Sequence, residues 1–324
     1  MNTINLKLAF AVLLSVLTFH PLASLAQSWP ERSVRFIVPL GPGAGADIGA
    51  RLFADRLSIR WGRPVVVEDR PGADGIIAIN AVIAAKDDHT FLWGPTSSFV
   101  GHPYTLEKFP YDPRELLPVA RVSNTVVCLV VPSSLNVGSL KDLLTRAREQ
   151  PGKLNWTSVT TVTDIVMEGY FKSAGLDMAR VAYKDPVSGF NDLVAGRIQL
   201  YSGACAIARA QAQAGRVKLL AVMNRARAPG LDLPTVSELG FPGLNFDGLV
   251  GLIAVRSSGI TDAVRERIAA DIAAVSADPV IAERLTATAQ IVSPGTGAEF
   301  AASIDEQAAL LAAQAKLLGI KAKQ

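Results

Sequence analysis

A chain of 324 residues with 49% hydrophobic content is long enough for two domains around substantial cores and too apolar to be disordered. Its 32 Lys and Arg against 29 Asp and Glu leave a formal charge of +3, with no basic run; this excludes a phosphate-backbone footprint and nucleic acid as a partner. With three histidines, one of them within the first 26 residues, and two cysteines, a metal cluster or Cys–His dyad has little to draw on, so no cofactor and no metal are expected.

The first predicted element is an export signal over residues 1–26. Lys7 precedes an apolar stretch from Leu8 to Phe19, and Ser24, Leu25 and Ala26 form a small-x-small cleavage site before Gln27. A membrane anchor needs ~20 continuous apolar residues, and His20 and Pro21 interrupt this stretch too early. No cysteine stands at the cleavage point to carry a lipid. The mature chain is therefore expected to be extracytoplasmic, without a membrane anchor.

Beyond it, short apolar runs alternate with segments of helical period. VRFIVPL leads to ADIGARLFADRL, PVVVED to DGIIAINAVIAA, and HTFLWGP forms a third strand, the rhythm of a β-α-β-α-β unit with a parallel sheet. VARVSNTVVCLVVPS reads as a long crossover strand into a second set, running from KLNWTSV to VKLLAVM. A Pro/Gly-rich return, RARAPGLDLPTVSELGFPG, then brings the chain back to a strand, NFDGLVGLIAV, and residues 261–318 read as helices. The fold class is α/β, with two lobes, each a mostly parallel sheet flanked by helices, joined by two crossings with a cleft between them. Lobe 1 takes residues 27–125 and 229–324, the C-terminal helices packing back across the lobes, and lobe 2 takes 126–228. Cys128 and Cys205 sit in apolar runs and read more simply as small buried hydrophobes than as a disulfide.

The first turn, Gly41-Pro42-Gly43-Ala44-Gly45-Ala46, matches G-x-G-x-x-A after a strand and before a helix, with Glu68 at the distance of a ribose-binding acid. Two prolines, Pro39 and Pro42, remove amide donors that a pyrophosphate would need. Export from the cytoplasm also argues against a dinucleotide enzyme, and no Gly-Lys-Ser/Thr follows for a P-loop. A serine hydrolase elbow is likewise missing. A helix N-terminus attracts an anion without any motif, through unpaired amides and a dipole worth ~0.3–1 kcal/mol.

Along the chain, WPERSVRFIVPLGPGAGADIGARL, RWGRPVVVEDRPGADGIIA, KFPYDPRELLPVARV, PGKLNW, VAYKD, AGRIQLYSG, AGRVKLLAVMNRARAPGLDLPTVSELGFPG and the terminal LGIKA occur in order. Together they resemble the Bug-type extracytoplasmic solute receptors of tripartite tricarboxylate transporters. The resemblance implies a two-lobed periplasmic binding protein of the Venus-flytrap kind, not an enzyme. It would bind a small organic acid or amide and present it to membrane subunits of a tripartite transporter, as a monomer. A sensory adaptor of the same fold, handing its closed form to a signalling protein, and a Rossmann-type enzyme are the alternatives.

The resemblance places the first ligand loop at Leu40, Gly41, Pro42, Gly43 and Ala44 with Asp47, a second at Thr157, Ser158, Thr160, Thr161, Thr163 and Asp164, and another cleft-facing loop at Thr96, Ser97 and Ser98. Ala44 replaces a family glycine, and the second loop lacks the family's glycines. The threonine hydroxyls suit a polar ligand, although Thr161 with Asp164 also resembles a capping box. If Asp47 and Asp164 both face the cleft, they would repel a di- or tricarboxylate and favour a monocarboxylate or amphipathic ligand over citrate. Lys184, beside Tyr183, could steer an anion, and Ser202 and Gly203 could line the cleft. Trp93 and Phe99 read as core before ring-stacking groups, and His89 and His102 show no partners in sequence.

Overall fold

The computed structural model describes residues 29–183 and 186–323, apart from the side chain of Pro186. The export segment and Lys184 lie outside the described residues.

Strand β1 (Val34–Val38) is buried on both faces, with Val34, Phe36 and Val38 in one cluster and Ile37 in another. Helix α1 (Gly45–Trp61) covers the first face with Ala46, Ala50, Phe53, Ala54 and Leu57, at helical spacing. After β2 (Val65–Asp69), helix α2 (Ile76–Ala85) covers the opposite face, where Ala78, Ile79 and Val82 meet Ile37 and Leu92. Strand β3 (Thr90–Pro95), the short α3 (His102–Thr105) and β4 (Leu116–Thr125) complete this first pass.

Only Val126 separates β4 from β5 (Val127–Pro132), which already belongs to the other sheet. The second lobe continues through α4 (Leu140–Glu149), β6 (Asn155–Ser158), α5 (Thr161–Ser173), β7 (Ala179–Arg180), α6 (Pro186–Val194), β8 (Leu200–Ala204), α7 (Cys205–Gln213) and β9 (Val217–Val222). The return leads to β10 (Gly248–Val255), α8 (Asp262–Ser276), α9 (Pro279–Ala287), β11 (Gln290–Thr296) and α10 (Gly297–Leu318). Six strands form one sheet in the order β11-β4-β10-β3-β1-β2, and five form the other in the order β7-β6-β8-β5-β9.

The two-lobed α/β reading holds, with corrections. The sheets are mixed: β1, β2 and β3 are parallel, as are β6, β7 and β8, but β10 runs against β3 and β4, β11 against β4, and β5 against β8 and β9. A strand returning from the other lobe enters its sheet at the crossing edge and must run the opposite way. Among the expected helices of 261–318 stands β11. Its apolar signal is only Ile291-Val292 before Pro294-Gly295, and pairing with β4 makes it a strand.

Cys128 and Cys205 are disulfide-bonded, with Cα atoms 5.1 Å apart. The pairing of β5 with β8 joins them, because it sets Cys128 opposite Gly203, two residues before Cys205. His102 and His89 also have partners, which the sequence reading did not assign. His102 is sealed between the Tyr111 hydroxyl, which its Nδ1 meets at 2.7 Å, and the Asp74 carbonyl, 2.9 Å from Nε2. His89 meets Asp88 at 2.7 Å and accepts the Glu31 amide at 3.1 Å.

The crossings are stapled by Asn224, only 1% exposed, whose Oδ1 accepts from the Val127 amide while its Nδ2 donates to Thr125. Helix α10 spans the lobes: Phe300 lies in the core of the first, whereas Leu311 and Ala315 join Val162, Val166 and Phe171 of α5 in the second.

Candidate functional site

Topology alone decides which loops face each other. Strands β1 to β4 run the same way, so the segments after β1, β2 and β3 lie on the edge of the sheet from which β4 leaves for the other lobe. In the second sheet, the segments after β6, β7 and β8 lie on the edge where β5 enters and β9 leaves. Both sets therefore open toward the crossings. The lobes touch there, since a Cβ on Gly101 would come within 2.9 Å of Val162 at the start of α5.

The loop after β1 is built on backbone groups. Gly43 takes φ +82°, a conformation costly for any side chain, at an exposed tip. The Ala44 amide closes a tight turn onto Gly41 at 3.2 Å. Helix α1 then starts from Ala44, which offers no capping side chain, leaving its first amides without the oxygen that a Ser or Asp would supply. Asp47, 3% exposed, reaches back instead: its Oδ2 accepts the Gly43 amide at 2.7 Å and fixes the tip. Arg51 lies 2.6 Å from Asp47 Oδ1 and donates to Asp69 at 2.7 Å, so two carboxylates share one guanidinium. Burial and the neighbouring Asp47 hold the Asp69 carboxyl above its usual range, against the pull of Arg51.

The loop after β6 is the opposite case. Thr160 caps α5, taking the Thr163 amide at 3.2 Å, while the Thr163 hydroxyl meets the Thr160 amide, so the capping box runs Thr160–Thr163 and not Thr161–Asp164. Ser158 bonds both Thr163, at 2.8 Å, and Asp164, at 2.7 Å. Asp164 also pairs with Arg180 from β7. Burial raises the Asp164 carboxyl above its usual range, with Ser158 and Arg180 opposing. The hydroxyls of Ser158, Thr160 and Thr163 thus satisfy one another. Thr157 is buried, and Thr161 keeps a hydroxyl without a partner among the described residues.

Asp47 and Asp164 are both buried and paired with arginines, Asp47 sharing Arg51 with Asp69, which weakens the expected joint repulsion of a dicarboxylate without removing it. Thr96 and Ser202, both 0% exposed, also change role as side chains: Thr96 donates to Gln307 of α10, and the Ser202 hydroxyl rests on Met223 Sδ at 3.1 Å. Ser97 is half-buried, Ser98 is pressed against Gly75, and Gly203 packs against the Tyr201 ring and Val159. Trp93 stacks on Phe36 with centroids 5.0 Å apart, a core role, and Phe99 packs into clusters of both lobes. Leu40 is half-buried on the α1 face, and Pro42 is exposed beside Gly43.

The tripartite tricarboxylate transporter family receptor model matches residues 49–311. The chain belongs to this family. It is 30% identical to a UPF0065 protein of Bordetella bronchiseptica over 288 residues, 88% of this chain and 85% of that one. A solved periplasmic transporter is 30% identical with TM-score 0.77, covering 90% of this chain and 99% of its own. The R. palustris protein Rpa4515 with adipate is 27% identical with TM-score 0.76, with the same coverages of 90% and 99%. The family role is that of a solute-binding receptor. The dinucleotide reading of the glycine turn loses its ground, since the buried Asp47 carboxylate occupies the Gly43 amide that a pyrophosphate would seek.

Sequence reasoning missed the residues that hold this geometry. Arg51, four residues after Asp47 on α1, was legible as a helical ion pair. Gln290, by contrast, holds the Gly45 carbonyl at 2.8 Å across 245 positions, and Gln307 holds the Asp247 carbonyl at 2.8 Å. No local pattern announces either.

Proposed function

We propose that this protein is a periplasmic receptor that takes a small carboxylated metabolite into the cleft between its sheets. It delivers the ligand to the membrane subunits of a tripartite transporter. The observation that carries this reading is the start of α1: an uncapped helix behind an exposed glycine tip, on the edge that faces the second lobe. A carboxylate there would meet backbone amides and a favourable dipole without needing a cationic side chain. Among the described residues, Ser97 on this edge and Thr161 on the facing one offer further polar groups, and the adipate carried by the related R. palustris structure supports an acid as ligand. Binding favours the closed arrangement of the lobes about the Asn224 staple, and the membrane subunits read that arrangement.

A thermal-shift screen of the protein recovered from the periplasm of an expressing host tests this reading. The panel is adipate, hexanoate, benzoate, citrate, hexanamide and NAD. A ligand that binds only the folded chain raises Tm by mass action. A shift with one or more of the acids is expected; a shift with NAD alone, or with none of the panel, would overturn the proposal.

A further inference from the structure

The support beneath the first loop is electrically unbalanced. Asp47 and Asp69 bring two negative charges against the one positive charge of Arg51. Asp47 Oδ1 and Asp69 Oδ1 are each sealed from solvent without a hydrogen-bond partner, although Arg51 Nε lies 2.6 Å from the former as an ion pair. A buried carboxylate oxygen without a donor is costly. Sealed from solvent, these oxygens are out of reach of the groups of a bound ligand, but not of a proton. The other charged groups nearby are engaged elsewhere: Glu68 takes Arg35 and Arg70, and the Arg70 amide holds the Val38 carbonyl.

We propose that a carboxylate ligand at the start of α1 draws a proton from solvent onto the Asp69 carboxyl, beside the Asp47 carboxylate. This rests on the receptor reading above. The ligand's charge would arrive within one helical turn of Asp47, beside a cluster that is net negative when both acids are ionised. Taking a proton from water onto the Asp69 carboxyl neutralises that excess, lets the acid donate to Asp47, and leaves Asp47 holding the Gly43 amide. The proton returns to solvent when the ligand leaves. Burial and Asp47 already raise the Asp69 carboxyl, so it is poised for this uptake. Since the liganded form binds the proton more tightly, affinity rises as pH falls toward the Asp69 range, by at most about tenfold per pH unit for one proton.

Calorimetry of the periplasmic protein at pH 5.5, with adipate, hexanoate, benzoate and citrate as probes, tests the linkage. Each titration is run in two buffers of different ionisation enthalpy. After the proton that each acid itself sheds at this pH on binding as a carboxylate is subtracted, proton uptake by the protein makes the apparent binding enthalpy differ between the buffers. In Asp69→Asn, whose amide mimics the protonated acid, the difference should vanish, and affinity at pH 7 should equal or exceed the unaltered protein's. Binding with equal enthalpies in both buffers after that subtraction would overturn the proposal and leave the receptor reading intact. Failure of every acid to bind at any pH would overturn both. Should Asp69→Asn fold poorly, the two-buffer comparison on the unaltered chain decides alone.

Discussion

The loops after β1 and β6 occupy matching places in the two lobes, and they solve the start of a helix in opposite ways. After β1, the cap is missing, the tip is glycine, and the acid of the first turn points back at the backbone. After β6, the cap is doubled and three hydroxyls and an acid bond one another. Two helices starting on the same cleft need not both be ligand sites: one keeps amide donors available, and the other has turned its hydroxyls onto one another and Asp164. Residue types alone offered both loops, the glycine turn through its amides and the other through its threonine hydroxyls.

The largest test of this contrast removes what anchors the second lobe. The disulfide closes a sequence separation of 77 residues and fixes the start of α7 to the entering strand β5. Replacing both Cys128 and Cys205 by Ser should destabilise the protein by about 3–4 kcal/mol. Denaturant unfolding measures this. If lobe 2 acts as a wall, ligand affinity in the folded double variant falls only a few-fold. A loss as large as that caused by altering the first loop would break the distinction.

Next in size is the Asp164–Arg180 pair. Arg180→Ala leaves a buried carboxylate with only Ser158 and should cost about 2 kcal/mol. In an Asp164→Asn background the same change should cost little, and the coupling in a double-mutant cycle is the measure. Because Asp164 is raised when folded, its charged form disfavours folding above that raised value. Stability from this group is full below its unfolded value and declines as pH rises through the folded one. Asp164→Asn should therefore flatten the Tm profile across the acid range. An unchanged profile would mean that burial does not govern this carboxyl.

Much of the fold was legible because each strand and helix of the first lobe carries its own period. VRFIV shows alternation onto two faces, and α1 repeats small and apolar residues at helical spacing. The glycine turn could be named as a candidate anion site for the same reason: its chemistry is local. What failed depended on partners far along the chain. Arg180 reaches Asp164 from another strand, Tyr111 finds His102 through a loop, and Cys128 meets Cys205 through strand pairing. The antiparallel crossings and β11 escaped notice because direction and pairing belong to the sheet and not to the segment.

The smallest expected effect is also the sharpest test, because it makes one loop resemble the other. Ala44 already has N-cap backbone angles, φ −64° and ψ 151°. In Ala44→Ser the hydroxyl would accept from the amide of Ala46 or Asp47, adding about 0.5–1 kcal/mol of stability. If those amides serve the ligand, the same hydroxyl competes with it, and affinity should fall several-fold while Tm rises. Thr160→Ala is the mirror: it should lose about 1 kcal/mol and leave affinity within a factor of two. Parallel melting curves and titrations with an acid from the screen read both. If Ala44→Ser gains stability at no loss of affinity, the ligand carboxylate does not sit on α1.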